Sequence, residues 1–313
     1  VSADRRTGLP GGLPPRARAA IARCADGTLP PAVALTWLVM AGLAADEAAE
    51  AIATASARLA ATGARAETER LRGAARLLAE APEALDAVAA VLDAHEAPPP
   101  AAVSGDDAVA HWAAVFDRAG ARSPEASVAL YSLGRPALLD AVTDEIVAWL
   151  AAQGLLGADR RVLDLGCGIG RFLVALAPQV ALIVGTEVSA VMARTARTRS
   201  RDHRNVAVLR TGGRDLAPFR DETFDLVLAV DTMPYLVAAG VADRHVAEAS
   251  RVLRPGGSLV ALNWSYGGDI ATDRAAVASL AERSGLAVRV NGSHPFRGWD
   301  GAAFLLHRAG AFV

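Results

Sequence analysis

The stretch Val162-Leu163-Asp164-Leu165-Gly166-Cys167-Gly168-Ile169-Gly170-Arg171-Phe172 constrains this chain more than any other. An apolar strand ends near an acid, enters a turn with glycine at every second position, and leads into a helix starting near Arg171. Glycine accepts positive φ and lets a ligand approach the main chain closely. Such a turn, backed by a helix N-terminus, suits a nucleotide-like ligand at the carboxyl end of a parallel sheet. A tight strand-to-helix turn without a ligand would use the same glycines, so the rest of the chain must decide. The spacing departs from the dinucleotide pattern G-x-G-x-x-G, because Gly170 comes two residues after Gly168, not three.

Beyond the turn, strand and helix patterns alternate. Strands are expected at 161–165, 181–187, 206–210, 224–230, 257–263, 286–290 and 302–308. Helices are expected at about 171–177, 189–201, 241–253 and 271–284. That alternation predicts an α/β fold with a doubly wound, seven-stranded, mostly parallel Rossmann-like sheet. The chain before the turn is helical. Leu35, Leu38, Val39 and Leu43, and again Leu77, Leu78, Leu85, Val88 and Leu92, recur at helical spacing. Gly27, Pro30-Pro31, Gly63 and Pro82 punctuate the segment, which predicts four or five short helices in a small all-α domain. The expected organisation is a helical domain over 1–97, loose over its first residues, and a Pro-rich linker over 98–105. A helical lead-in over 106–150 and the sheet domain over 151–313 come next. Trp112, Phe116 and Tyr131 of the lead-in are placed to fold over the ligand edge as a lid.

The charge balance narrows the function classes. A formal net charge of −2 and a pI near 6.3 give no pull toward nucleic acid or an anionic membrane. Cys24 and Cys167, far apart in sequence, argue against a disulfide framework or a cysteine zinc site, so no metal is expected. No uncharged apolar run is long enough for a membrane span, and no signal-peptide pattern is read at the start. A cytoplasmic protein is expected.

Val184-Gly185-Thr186 ends in Glu187, 23 residues after Asp164. An acid at that distance suits bonds from both ribose hydroxyls of an adenosine. An acid at a helix N-terminus also satisfies backbone donors. With this acid downstream, the D-L-G-x-G-x-G string resembles motif I of class I S-adenosylmethionine-dependent methyltransferases. Three more strings extend the resemblance to about residues 125–313. Arg210-Thr211-Gly212-Gly213-Arg214-Asp215-Leu216-Ala217-Pro218-Phe219 resembles the loop flanking the adenine, with Gly213 where the family carries an acid. Phe224 to Asp231, leading into Thr232-Met233-Pro234-Tyr235, resembles the fourth strand and the loop beside the acceptor. Leu253-Arg254-Pro255-Gly256-Gly257 resembles the family's L-[KR]-P-G-G turn before the fifth strand.

The resemblance implies that S-adenosylmethionine is held by Asp164, Gly166, Cys167, Gly168, Gly170, Glu187, Val188, Gly213, Arg214, Asp215 and Asp231. Cys167 is read as a spacer, not a nucleophile. Tyr131 either reaches the methionine carboxylate or is a half-buried core residue. On the acceptor side the candidate catalytic residues are Tyr235, Asn263 and His294, with Trp264, Tyr266, Arg297 and Trp299 nearby. Tyr235 would wall the pocket, orient the acceptor or deprotonate it. His294 is a base by residue type, since an ordinary histidine titrates near working pH. A lone loop histidine is also often simply exposed. The implied activity is methyl transfer to a nitrogen or oxygen of a small molecule. Two alternatives stay open. One is cyclisation of the cofactor's own amine to azetidine-2-carboxylate, releasing methylthioadenosine. The other is a non-catalytic module whose helical domain docks a partner. The N-terminal helices are a candidate homodimer surface.

Overall fold

The computed structural model describes residues 12–81, 83–94 and 105–310, so most of the expected linker and the first eleven residues lie outside it. The chain divides into two compact units. One comprises 1–96, 119–142 and 296–300; the other comprises 97–118, 143–295 and 301–313.

The first unit is helical: α1 (Pro15–Asp26), α2 (Pro31–Met40), α3 (Ala45–Ala61), α4 (Arg65–Glu80) and α5 (Ala84–Ala94). The expectation from the leucine spacing is four or five short helices, and five are described. Prolines open α1 and α2, where the missing N–H has no intrahelical partner to lose. Gly27, at φ 85°, closes α1. The Ala44 amide donates to Glu47 Oε2 at 2.9 Å to start α3. Helix α2 is apolar on nearly every side and buries Val33, Ala34, Leu35 and Leu38. Two later pieces complete this unit. Helix α6 (Asp106–Arg122) brings its last residues here, so that Ala119 packs with Val91, Ala94 and Ala126 of α7 (Pro124–Val128). Tyr131 is buried against Trp299 at 5.8 Å, and Trp299 stacks on Phe296 at 5.5 Å.

The second unit is the sheet domain. Its strands are β1 (Gly157–Leu165), β2 (Val180–Glu187), β3 (Val206–Arg210), β4 (Phe224–Val230), β5 (Leu253–Leu262), β6 (Leu286–Ser293) and β7 (Ala303–Arg308). They lie in the order β3-β2-β1-β4-β5-β7-β6. All the pairings from β3 to β5 are parallel; β7 runs antiparallel to β5 and β6. Helices α8 (Pro136–Ala152), α9 (Arg171–Leu176), α10 (Ala190–Ser200), α11 (Met233–Ala238), α12 (Ala242–Val252) and α13 (Ile270–Arg283) connect or precede the strands. Leu163, Val227, Leu259 and Phe304 sit in the buried core between sheet and helices.

Two strand starts differ from expectation. β1 begins at Gly157 with an irregular register before Arg161. The expected turn Leu253–Gly257 is the first half of β5, which pairs Phe224 with Leu253 and then skips to Leu226 with Ser258. A bulge there absorbs Pro255 and the left-handed Gly256, at φ 82°. The chain order reverses between β1 and β4, and in open α/β sheets ligands bind outside the carboxyl ends of the strands at such a reversal. Among the described residues no helix is long and apolar enough to cross a membrane, and no cluster of three or more His, Cys, Asp or Glu could hold a metal.

Candidate active site

The glycine turn closes the carboxyl end of β1. Gly166, Gly168 and Gly170 all take left-handed φ, at 74°, 54° and 82°. The Gly166 and Cys167 amides both donate to Thr186 O at 2.9 Å, which ties the turn to β2. A Cβ on Gly166 would lie 2.4 Å from Thr232 Oγ1, whose hydroxyl donates to Leu165 O at 2.8 Å. The loop after β4 therefore rests on the turn and can do so only over glycine. Cys167 turns its side chain toward Gly185 of β2. A Cβ at Gly185 would come within 2.7 Å of its sulfur, so the thiol fills the space that Gly185 leaves. Burial first, then the Asp164 and Glu187 charges, push that thiol well above its ordinary value, consistent with a spacer.

Two acids lie under the turn. Glu187 is buried; its Oε2 accepts Gly168 N at 2.9 Å, and its Oε1 accepts Val188 N and Ser189 N at 2.8 Å each. The backbone-capping role is thus in place. Burial still lifts the Glu187 carboxyl above its ordinary value against those three amides. Asp164 is buried, and its Oδ2 has no hydrogen-bond partner. Burial pushes Asp164 up to about 7, with Arg171 pulling it down and Glu187 adding to the rise. Buried polar atoms are almost always paired in a finished structure. The orphaned Asp164 oxygen, together with the unpartnered Thr186 Oγ1 and Trp112 Nε1, therefore fits a site built for a polar ligand.

The adenine-side expectations need correction. The Arg214 side chain is 69% exposed and pairs with Asp106 of α6 at 3.2 Å. Asp215 is turned to its own loop, accepting Ala217 N at 3.0 Å. Gly213, at φ 64°, is crowded: a Cβ there would meet Val188 at 2.6 Å and Val109 of α6 at 2.7 Å. The acid that the resemblance places at this position has no room. Tyr131 lies in the other unit.

On the acceptor side the structure groups some candidates and separates others. Asp231 and Asn263 end β4 and β5 in left-handed conformations, at φ 54° and 63°. Strained residues of this kind gather at functional sites. Asn263 Nδ2 donates to Asp231 Oδ1 at 2.7 Å, and Asn263 Oδ1 accepts Ala302 N at 2.9 Å. Both ends of this amide are thus engaged, bracing the loops after β4 and β5. Tyr266 is 61% exposed, yet its hydroxyl turns back to Asp231 Oδ1 at 3.2 Å. Tyr235 is the centre of an aromatic cluster. Trp112, Phe116 and Tyr266 meet it near-perpendicularly at 5.0, 4.8 and 5.8 Å. Burial, then the Asp231 charge, raises the Tyr235 phenol above its ordinary value, which favours the wall reading over the base. His294 is exposed in the loop after β6.

Residues that sequence reasoning does not single out complete the site. Asp117 of α6 accepts the Ser189 hydroxyl at 2.6 Å and Val191 N at 2.9 Å, both on Oδ1. Ser189 Oγ in turn caps α10 by accepting Met192 N at 3.1 Å. Burial acts to raise the Asp117 carboxyl, but these bonds, with a smaller contribution from the Ala190 amide, outweigh it and hold it below its ordinary value. The signal in the sequence is an acid set among Val109, Trp112 and Phe116 on one helical face.

Comparison with known proteins agrees with this geometry. Residues 163–261 match the family described as "Methyltransferase domain". The demethylmenaquinone methyltransferase of Tropheryma whipplei (strain Twist) is 35% identical over 118 residues, 37% of this chain and 47% of that protein. Methyltransferase GfsG of Streptomyces halstedii is 34% identical over 110 residues, 33% of this chain and 37% of that protein. The chain spans about half the length, or less, of these curated relatives. A solved S-adenosylmethionine-dependent methyltransferase from Aquifex aeolicus aligns at 23% identity with a TM-score of 0.44, over 55% of this chain and 92% of that one. The sheet order and glycine turn define an open α/β domain with a strand-order reversal between β1 and β4. Over residues 163–261 that domain is similar to the methyltransferase domain family.

Proposed function

We propose that this protein transfers the methyl group of S-adenosylmethionine to a nitrogen or oxygen of a small molecule. The observation that carries this reading is the buried, partnerless Asp164 oxygen beneath three left-handed glycines, inside the segment that matches the methyltransferase family. Bound there, S-adenosylmethionine supplies an activated methyl group on sulfur. Asp164 offers its Oδ2 to a donor of the ligand. Gly166, Gly168 and Gly170 let the main chain approach it, and Glu187 keeps an acceptor site for the ribose. Trp112, Phe116 and Tyr235 wall the crevice with apolar rings that exclude water. With the Tyr235 phenol protonated and Asn263 braced, the chain acts by holding two partners in line. Positioning of that kind is worth roughly 7–11 kcal/mol. The small net charge, with no basic surplus for a polyanion, supports a small acceptor.

The test is mass spectrometry of products after incubation with S-adenosylmethionine, with and without candidate acceptors. Acceptor-dependent S-adenosylhomocysteine is expected. Methylthioadenosine formed without any acceptor would replace methyl transfer with cyclisation. No calorimetric binding of either ligand would leave the non-catalytic module.

A further inference from the structure

We propose that Asp117 of α6 is a second ribose-binding carboxylate of this site, taking one hydroxyl of the adenosine while Glu187 takes the other. This rests on the reading of the crevice as an S-adenosylmethionine site. A carboxylate offers about four lone-pair positions. Glu187 has three of them filled by the amides of Gly168, Val188 and Ser189, all within 2.9 Å. About one position remains for a ribose that presents two hydroxyls.

Asp117 stands next in line. It is joined to the same backbone through Ser189, whose amide donates to Glu187 and whose hydroxyl donates to Asp117. The two carboxylates lie near enough for their charges to act on each other. The Ser189 and Val191 bonds both go to Asp117 Oδ1, and with the smaller contribution of the Ala190 amide counted the carboxylate still keeps about one lone-pair position. Helix α6 is fixed in register by Val109, which packs at Gly213 two turns earlier, about 12 Å along the axis. The helix therefore lies along the adenosine end of the crevice. It closes off the place where the family carries an acid and brings an acid of its own.

A mere helix cap would also place Asp117 against Ser189, so the test must separate contact from support. Full-length protein is titrated calorimetrically with S-adenosylhomocysteine and with its 2′-deoxy and 3′-deoxy analogues. The same titrations are run on Asp117→Asn, which keeps the capping acceptor, and on Asp117→Ser, which is too short to reach the ligand. Circular dichroism checks that each variant is folded. Wild type should bind each deoxy analogue at least about tenfold more weakly than the parent, the step that one lost hydrogen bond to a charged group produces. In both variants the penalty for one analogue should fall below about twofold while the other persists, the signature of a direct pairwise term. Equal weakening of all three ligands, with wild-type ratios intact, overturns the proposal and leaves Asp117 a cap. Failure of wild type to bind S-adenosylhomocysteine overturns the site reading itself, a result readily told from the first.

Discussion

Asp164 carries a pH signature near neutrality. Its native value of about 7 stands above its ordinary 3.8, so between these values the folded state holds a proton that the unfolded state has lost. Its contribution to stability is therefore present below the ordinary value and is lost as pH rises through about 7. A ligand donor at Oδ2 favours the ionised form. Cofactor affinity should accordingly rise as pH approaches about 7 and level off above it, with proton release measurable by calorimetry in buffers of different ionisation enthalpy. A flat profile through that range would remove Asp164 from the ligand site. Gly166 makes a second prediction. A Cβ there meets Thr232 Oγ1 at 2.4 Å on a backbone held at φ 74°. Gly166→Ala should cost at least about 1–2 kcal/mol in urea unfolding from the left-handed backbone alone. It should also displace the loop that carries Tyr235.

Helix α6 marks the limit of what local sequence encodes. The strands are legible because β-branched and leucine runs stand between glycine and acid punctuation, as in Val180–Glu187 and Phe224–Val230. The glycine turn is legible because three left-handed positions leave no other residue a comfortable choice. The bulged start of β5 is not, since Pro255 and two glycines read locally as a turn and only pairing with β4 makes them strand. Nor is the partner of α6, because an alanine-rich helix records which face is apolar but not what that face meets. So the sequence suggests Trp112 and Phe116 for the ligand edge but does not mark Asp117, nor does it announce the bond of Arg214 to Asp106. The α6 packing can be measured. A double-mutant cycle of Trp112→Ala and Tyr235→Ala should give a coupling of about 0.5–1.5 kcal/mol, the range for an edge-to-face aromatic pair. Additive effects would show that the rings at 5.0 Å do not support each other.

Each of the two units is assembled from separated stretches of chain. The helical unit draws on 1–96 and also on 119–142 and 296–300, a combination that no composition shift at Pro98-Pro99-Pro100 could announce. Removing residues 1–97 would strip Ala119 and Ala126 of Val91 and Ala94, and Arg135 of Glu80 at 3.3 Å. That deletion should lower the thermal midpoint and increase binding of a hydrophobic dye. Cofactor affinity should survive it as long as residues 106–118 remain. Truncation to about residue 137 should abolish binding as well, because it takes Val109 and Asp117 from the sheet domain's own unit. Equal binding by both truncations would detach α6 from the ligand edge.

The crowding at Gly213 has a consequence for the history of such chains. Val109 occupies the volume that a side chain at 213 would need, so helix and side chain exclude each other. Relatives that keep an acid at this position should lack a large residue where Val109 stands, and those with a valine-bearing helix should keep glycine. The two positions, 104 residues apart, should mutate as a pair. A lineage crossing from one arrangement to the other would pass through glycine at 213 before it gained the helix.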